Sequence, residues 1–181
     1  MPREIEMALT EHSHEKLYCG IDNGVSGSIG IINAGRPAQM FKMPTFVEQD
    51  YVKEKRNITR VDVSELTQIL FPSTRTTDSA RVLVLLERPM VNPMRFRATV
   101  SAIRALEATL GVIEVLRLPR MYVGSRAWQK LLLPHGCEGE ELKSASEDIG
   151  CRLFPHLADV IHDHGDADGL LISEWARRTG L

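Results

Sequence analysis

At 181 residues the chain can build one substantial core and is too short for two domains of ordinary size. Hydrophobic residues make up 43% and charged residues 25%, a globular profile, and no apolar run approaches the roughly 20 residues of a membrane span. The formal net charge of −2 gives no global sign of a nucleic-acid binder, so a polyanion surface would have to come from local clustering of basic residues.

Residues 1–16 are mixed in charge and lack the apolar core of a secretion signal, so they are expected to form a flexible N-terminal arm ahead of a single domain over 17–181. Residues 17–22 and 28–32 flank the glycine-rich turn 24–27 and predict a hairpin, and 38–43 can supply a third antiparallel strand after the turn at 33–37. Residues 44–60 are polar and poorly periodic, which predicts a long loop. Asp62 or Ser64 can cap a short helix reaching Leu70, and a Ser/Thr-rich connection follows Pro72.

Residues 82–86 are apolar at every position, as in a strand covered on both faces. Val100, Ile103, Leu106 and Leu110 recur at helical spacing, with Gly111 as the expected stop and 112–118 as the next strand, which implies a crossover and a parallel pair. Ser125 can cap a helix carrying Trp128, Leu131 and Leu132, ended by Pro134, and another helix is expected over 141–153. In the last helix Asp168, Leu171, Ile172 and Trp175 share one face. Cys19, Cys137 and Cys151 are odd in number and irregularly spaced, which fits a reducing compartment better than a disulfide framework or a zinc site.

Two of the strands end in acids, Asp22 and Glu87, and a third acidic cluster occupies 162–168. If the strands are neighbours and the last helix packs across them, these carboxylates converge, and like charges in close contact repel unless a cation or a proton separates them. The pattern predicts a metal centre on an α/β scaffold. Plainer readings stand beside it: Asp22 as a turn former before Asn23, Glu87 paired with Arg88 or Arg95, and Asp163 or Asp166 as helix caps. Trp128 and Trp175 read as core residues.

Basic residues cluster after the second acid. Arg88, Arg95, Arg97 and Arg104 fall in one stretch without an acid, and Arg117, Arg120, Arg126 and Lys130 fall in another. Such stretches suit a phosphate-tracking surface and equally an ordinary solvated face. Phe96 and Tyr122, inside them, could stack on opened bases or belong to a core or dimer contact.

Three leading strands in hairpin order, then alternating helices and strands, is the layout of the ribonuclease H-like fold. Gly20-Ile21-Asp22-Asn23-Gly24 with Ser26-Gly27, Leu86-Glu87-Arg88-Pro89, Trp128-Gln129-Lys130, Lys143 before Ser146, Leu153-Phe154-Pro155, and Asp163-His164-Gly165 before Ala167-Asp168-Gly169 together resemble the RuvC family of Holliday-junction resolvases. The phage and chloroplast branches, which carry a histidine in the last motif, are the more similar. The resemblance covers about 17–178. It implies an α/β, ribonuclease H-like fold with a mixed five-stranded sheet flanked by helices. It also implies a homodimeric Mg2+-dependent endonuclease that nicks two opposing strands of a four-way DNA junction, with two ions per site and Mn2+ able to replace Mg2+.

On the same basis Asp22, Glu87, His164 and Asp168 would be catalytic metal ligands, with Lys143 binding phosphate or stabilising charge and Asp166 and Asp163 as further ligands or caps. A four-residue spacing would place His164 and Asp168 on one side of a single helix. His164 could ligate a metal or act as acid or base. DNA contacts would fall to Arg88, Arg95, Phe96, Arg97, Arg120, Tyr122, Arg126 and Lys130, and the helix over 100–110 would be the dimer helix. The expected setting is the cytoplasm of a bacterial or phage-infected cell, or an organellar matrix. The alternatives are another branched-DNA or RNA-processing nuclease of this fold and a non-catalytic junction-binding protein.

Overall fold

The computed structural model of the chain describes residues 16–51, 55–75 and 81–181, and for 72–75 the backbone alone. Of the expected N-terminal arm, 1–15 lie outside the described residues, as do Lys53 and the connection 76–80.

Five strands make the central sheet: β1 (Leu17–Ile21), β2 (Ser28–Asn33), β3 (Gln39–Lys42), β6 (Val82–Glu87) and β7 (Arg120–Val123), in the order β3-β2-β1-β6-β7. The first three pair antiparallel, and β1–β6 and β6–β7 pair parallel, as the expected mixed sheet requires. Side chains alternate between the two faces, so each face has its own core. Cys19, Ile21, Ile29, Ile31, Val84 and Leu86 pack on Leu66 and Leu70 of α1 (Val63–Arg75) and on Ala105, Val112 and Ile113 of α2 (Phe96–Val115). Tyr18, Ile32, Met40 and Leu85 pack on the other side against Trp128 of α3 (Ser125–Leu132) and Leu170, Leu171 and Ile172 of α6 (Asp168–Thr179). Burial on both faces explains why β1 and β6 read as nearly unbroken apolar runs.

Residues 44–60 are not the long loop expected. They form a second, two-stranded antiparallel sheet, β4 (Thr45–Gln49) with β5 (Asn57–Val61), in the register Thr45↔Val61 to Gln49↔Asn57. Most of its side chains face solvent, which removes the apolar alternation that would have signalled strands. The buried Asp50 carboxylate fastens its end, accepting from Arg56 Nε at 2.7 Å and from the Tyr51 amide at 2.9 Å. Asp62 caps α1 as expected, accepting at 3.0 Å from the amides of both Ser64 and Glu65, and the helix runs past Leu70 to Arg75.

The end of α2 corrects a second expectation. Gly111 does not stop the helix, and 112–118 is not a strand. Val112 and Ile113 continue the buried face, and the helix ends on a Schellman turn in which the amides of Arg117 and Leu118 donate to the carbonyls of Glu114 and Ile113 at 3.0 Å. Arg117 takes the left-handed position, φ 53°, that glycine usually holds. At α3, Gly124 stands in the cap position, so Ser125 starts the helix rather than capping it.

Two helices, α4 (Glu140–Leu153) and α5 (Ala158–His164), precede α6. Gly165 adopts φ 90° and ends α5, so His164 and Asp168 do not share one helix. The chain turns at 165–167 and restarts at Asp168. The backbone of α6 lies directly on the sheet at a glycine contact: a Cβ on Gly169 would stand 2.7 Å from the Ser28 carbonyl oxygen, and one on Gly30 would run into the Leu170 backbone.

Candidate active site

The parallel register Ile21↔Leu86 sets Asp22 and Glu87 side by side where the two central strands leave the sheet. The two carboxyls are near enough for a hydrogen bond from a protonated Asp22 to Glu87, and among the described residues neither forms an ion pair with an arginine. The Trp128 indole Nε1 also donates to Glu87 Oε1 at 3.0 Å, so Glu87 is held by Asp22 and Trp128 rather than by Arg88 or Arg95. Trp128 is fully buried, as a core residue should be, yet its polar edge serves the site. Its helical spacing revealed the first role and not the second.

Burial pushes the Asp22 carboxyl well above the usual carboxylate range, and Glu87 and Asp166 push it further, against an opposing pull from His164. Glu87 is raised as well, chiefly by burial, against the hydrogen bonds from Asp22 and Trp128. The glycine contact under α6 brings its first residue, Asp168, to the same end of the sheet. Burial, with the neighbouring Asp166 charge, raises Asp168 to about 7, while Ser146 Oγ donates to its Oδ1 and Lys143 pulls the other way. Ser146 is itself fully buried and accepts from the Ala167 amide at 3.1 Å, fixing the turn and the acid together. Sequence reading took Ser146 only as a landmark beside Lys143. A hydroxyl at a buried helix position, where no water can satisfy it, was the available signal.

Asp166 is buried and belongs to the cluster. Its Oδ1 accepts from the Asp168 amide at 3.3 Å, a capping contact, and lies 3.3 Å from His164 Nε2, while its Oδ2 is 3.9 Å from Lys143 Nζ. Burial opposes its ionisation, but the His164 imidazole, the Asp168 amide and the Lys143 ammonium together hold it below the usual range. The His164 side chain is 7% exposed, and its Nε2, although near Asp166, has no hydrogen-bond partner. Lys143 is largely exposed, with its ammonium at the rim. Asp163 stands apart: its carboxylate pairs with Lys42 Nζ at 2.6 Å on the surface, and it neither caps a helix nor joins the cluster.

The basic residues divide. Arg88 follows Glu87 directly, and Arg95, Phe96 and Arg97, all exposed, open α2 beyond the same strand end, with the Phe96 ring 71% exposed. Arg126 and Lys130 are exposed on α3. Tyr122 is 39% exposed on β7. Arg120 lies at the far end of β7, because the register Glu87↔Val123 leaves it three residues, about 10 Å, from the acids. There it pairs with Glu114 at 3.1 Å.

The acids and the imidazole offer hard oxygen donors and one buried nitrogen that lies 3.3 Å from Asp166 without a well-formed hydrogen bond, a donor set that fits a divalent cation. Among the described residues, no three His, Cys, Asp or Glu side chains are arranged to hold a metal ion as they stand.

A mixed sheet of this order, with acids at the ends of its central parallel pair and another acid on the helix packed across it, is the ribonuclease H-like architecture. Within that class the chain has the RuvC fold. It is similar to the Thermus thermophilus RuvC structure (TM-score 0.50, 16% identity) and to T. thermophilus RuvC in complex with a Holliday junction substrate (TM-score 0.51, 14% identity), each match covering 91% of this chain and 96% of the other. No family model and no curated protein matches the chain.

Proposed function

We propose that the chain is a metal-dependent endonuclease that resolves four-way DNA junctions, working as a homodimer whose two sites face the two opposed strands of the junction. One observation carries this reading: Asp22, Glu87, Asp166 and Asp168, with the unpartnered His164 Nε2, gather at one end of the central parallel strands of a RuvC fold. A similar protein of that fold has been solved with a Holliday junction substrate.

Asp22, Glu87, His164 and Asp168 would hold Mg2+, or Mn2+ in its place, as one or two ions, with Asp166 beside them. Bound there, the cation supplies an activated water and a counter-charge for phosphodiester hydrolysis. The remaining work falls to the chain's own side chains. Trp128 and Ser146 orient Glu87 and Asp168 through one hydrogen bond each. Lys143, largely exposed and with its Nζ 3.9 Å from Asp166 Oδ2, can reach a phosphate oxygen at the rim. Arg88, Arg95, Arg97, Arg126 and Lys130 provide cations around the site, and Phe96 an exposed ring for a base unstacked at the crossover.

The deciding experiment is cleavage of a synthetic four-way junction. Wild type should bind in Ca2+ or EDTA and cut symmetrically once Mg2+ is added, releasing nicked duplexes. Asp22→Asn, Glu87→Gln, Lys143→Ala, His164→Ala and Asp168→Asn should bind without cutting. A wild type that binds junctions and never cuts them in Mg2+ or Mn2+ would identify a junction-binding protein instead.

A further inference from the structure

On the exposed side of α4 and α5 three side chains form a relay that the nuclease reading does not use. His162 Nδ1 is hydrogen-bonded to Glu147 Oε1, and Cys151 Sγ lies 3.8 Å from His162 Nε2. In the tautomer that carries its proton on Nδ1, the ring donates to the Glu147 carboxylate and turns the Nε2 lone pair toward the sulfur. A carboxylate behind one imidazole nitrogen, with the other left to a cation, is the arrangement that orients histidine ligands in metal sites. The spacing agrees. Tetrahedral zinc with bonds of about 2.3 Å to sulfur and 2.0 Å to nitrogen separates the two ligand atoms by about 3.5 Å.

We propose that Cys151 and His162 form a surface site for a thiophilic divalent cation of the zinc type, with Glu147 orienting the imidazole and water completing the coordination. The clamp offers two protein ligands, fewer than the three or four of most zinc sites, so water fills the remaining positions. The His162 side chain is 61% exposed and Cys151 is partly exposed, so a hydrated ion can reach both. Burial first, then the charges of Glu147 and Asp148, keep the Cys151 thiol protonated above its ordinary range, and those same charges draw a cation in. As the metal–sulfur bond forms, the thiol proton leaves to solvent. The other cysteines are set differently: Cys19 is fully buried with its thiol pushed up to about 12, and Cys137 lies in the connection before α4. The clamp would tie α4, which carries Ser146, to α5, which ends at His164. Its existence does not depend on the nuclease reading.

The test is a titration of the reduced 181-residue chain with Co2+, followed by displacement with Zn2+. One equivalent of Co2+ should raise a thiolate-to-cobalt charge-transfer band in the near ultraviolet, and Zn2+ should abolish it. The band should persist in Asp22→Asn/Asp168→Asn and in Cys137→Ser, disappear in Cys151→Ser, and need at least tenfold more Co2+ in His162→Ala. Glu147→Gln should weaken binding about tenfold. Absence of the band in wild type, its survival in Cys151→Ser, or its loss in Cys137→Ser would overturn the assignment.

Discussion

Asp22 shows how a site residue can cost stability. Its carboxyl is buried against Glu87 and Asp166, an arrangement that penalises its ionised form. Asp22→Asn keeps a donor toward Glu87 without the cost of holding a proton on a buried acid, so in EDTA it should stabilise the fold by about 1 kcal/mol, raising the melting temperature by roughly 2–4 °C. Added Mg2+ should then raise the melting temperature of wild type and not of the variant. Thermal denaturation with and without metal measures both effects. Ser146→Ala should act in the opposite direction. It leaves the buried Ala167 amide without its acceptor and should cost about 1–3 kcal/mol in urea denaturation, with junction cleavage lowered through kcat and KM little changed. Asp22, Glu87 and Asp168 were legible in the sequence because a carboxylate that ends an apolar strand or opens an apolar helix face needs an explanation. Ser146 and Trp128 were not, because their function depends on partners 22 and 41 residues away that only the packing brings within reach.

At the level of elements, sequence punctuation failed where it conflicted with burial. Gly111 resembled a helix stop, but the buried faces of Val112 and Ile113 carried α2 onward, and the true stop is Arg117 in a conformation that non-glycine residues adopt at a cost of about 1–2 kcal/mol. Arg117→Gly should therefore stabilise the protein by about 1 kcal/mol, read as a shift in the urea midpoint with unchanged slope. The β4–β5 sheet was missed for a related reason. Its strands are mostly solvated, and the information that pairs them lies in contacts such as Asp50 with Arg56 rather than in periodicity. Likewise, the four-residue spacing of His164 and Asp168 suggested one helix until the left-handed Gly165 separated them. The structure brings the two residues together by a turn, not by a helical face.

Across the whole molecule the strands β1, β2 and β6 followed from the sequence because both of their faces are buried, whereas β7, with Arg120 and Tyr122 exposed, carries no such run, and the strand expected over 112–118 is the end of α2 and its exit. Acid stability should reflect a different part of the fold. Glu174, with its side chain 5% exposed, is opposed by burial but held below its ordinary value of 4.5 by hydrogen bonds and charge from Arg177 and Arg178. A depressed carboxylate contributes stability that is present in full above 4.5 and is lost as pH falls through the lower folded value. Urea midpoints of wild type should thus decline more steeply below pH 4.5 than those of Glu174→Gln, and the two curves should run parallel between pH 6 and 8.

The contact between Gly169 and β2 has a further consequence for engineering. Main chain resting on main chain has no rotamers to adjust, so the spacing from Asp168 to the strand-end acids behaves as a fixed gauge rather than a spring. Libraries aimed at a different cation should leave Gly30 and Gly169 untouched. They should vary Trp128 and Ser146 instead, because those residues change how the carboxylates are aimed while the gauge stays the same.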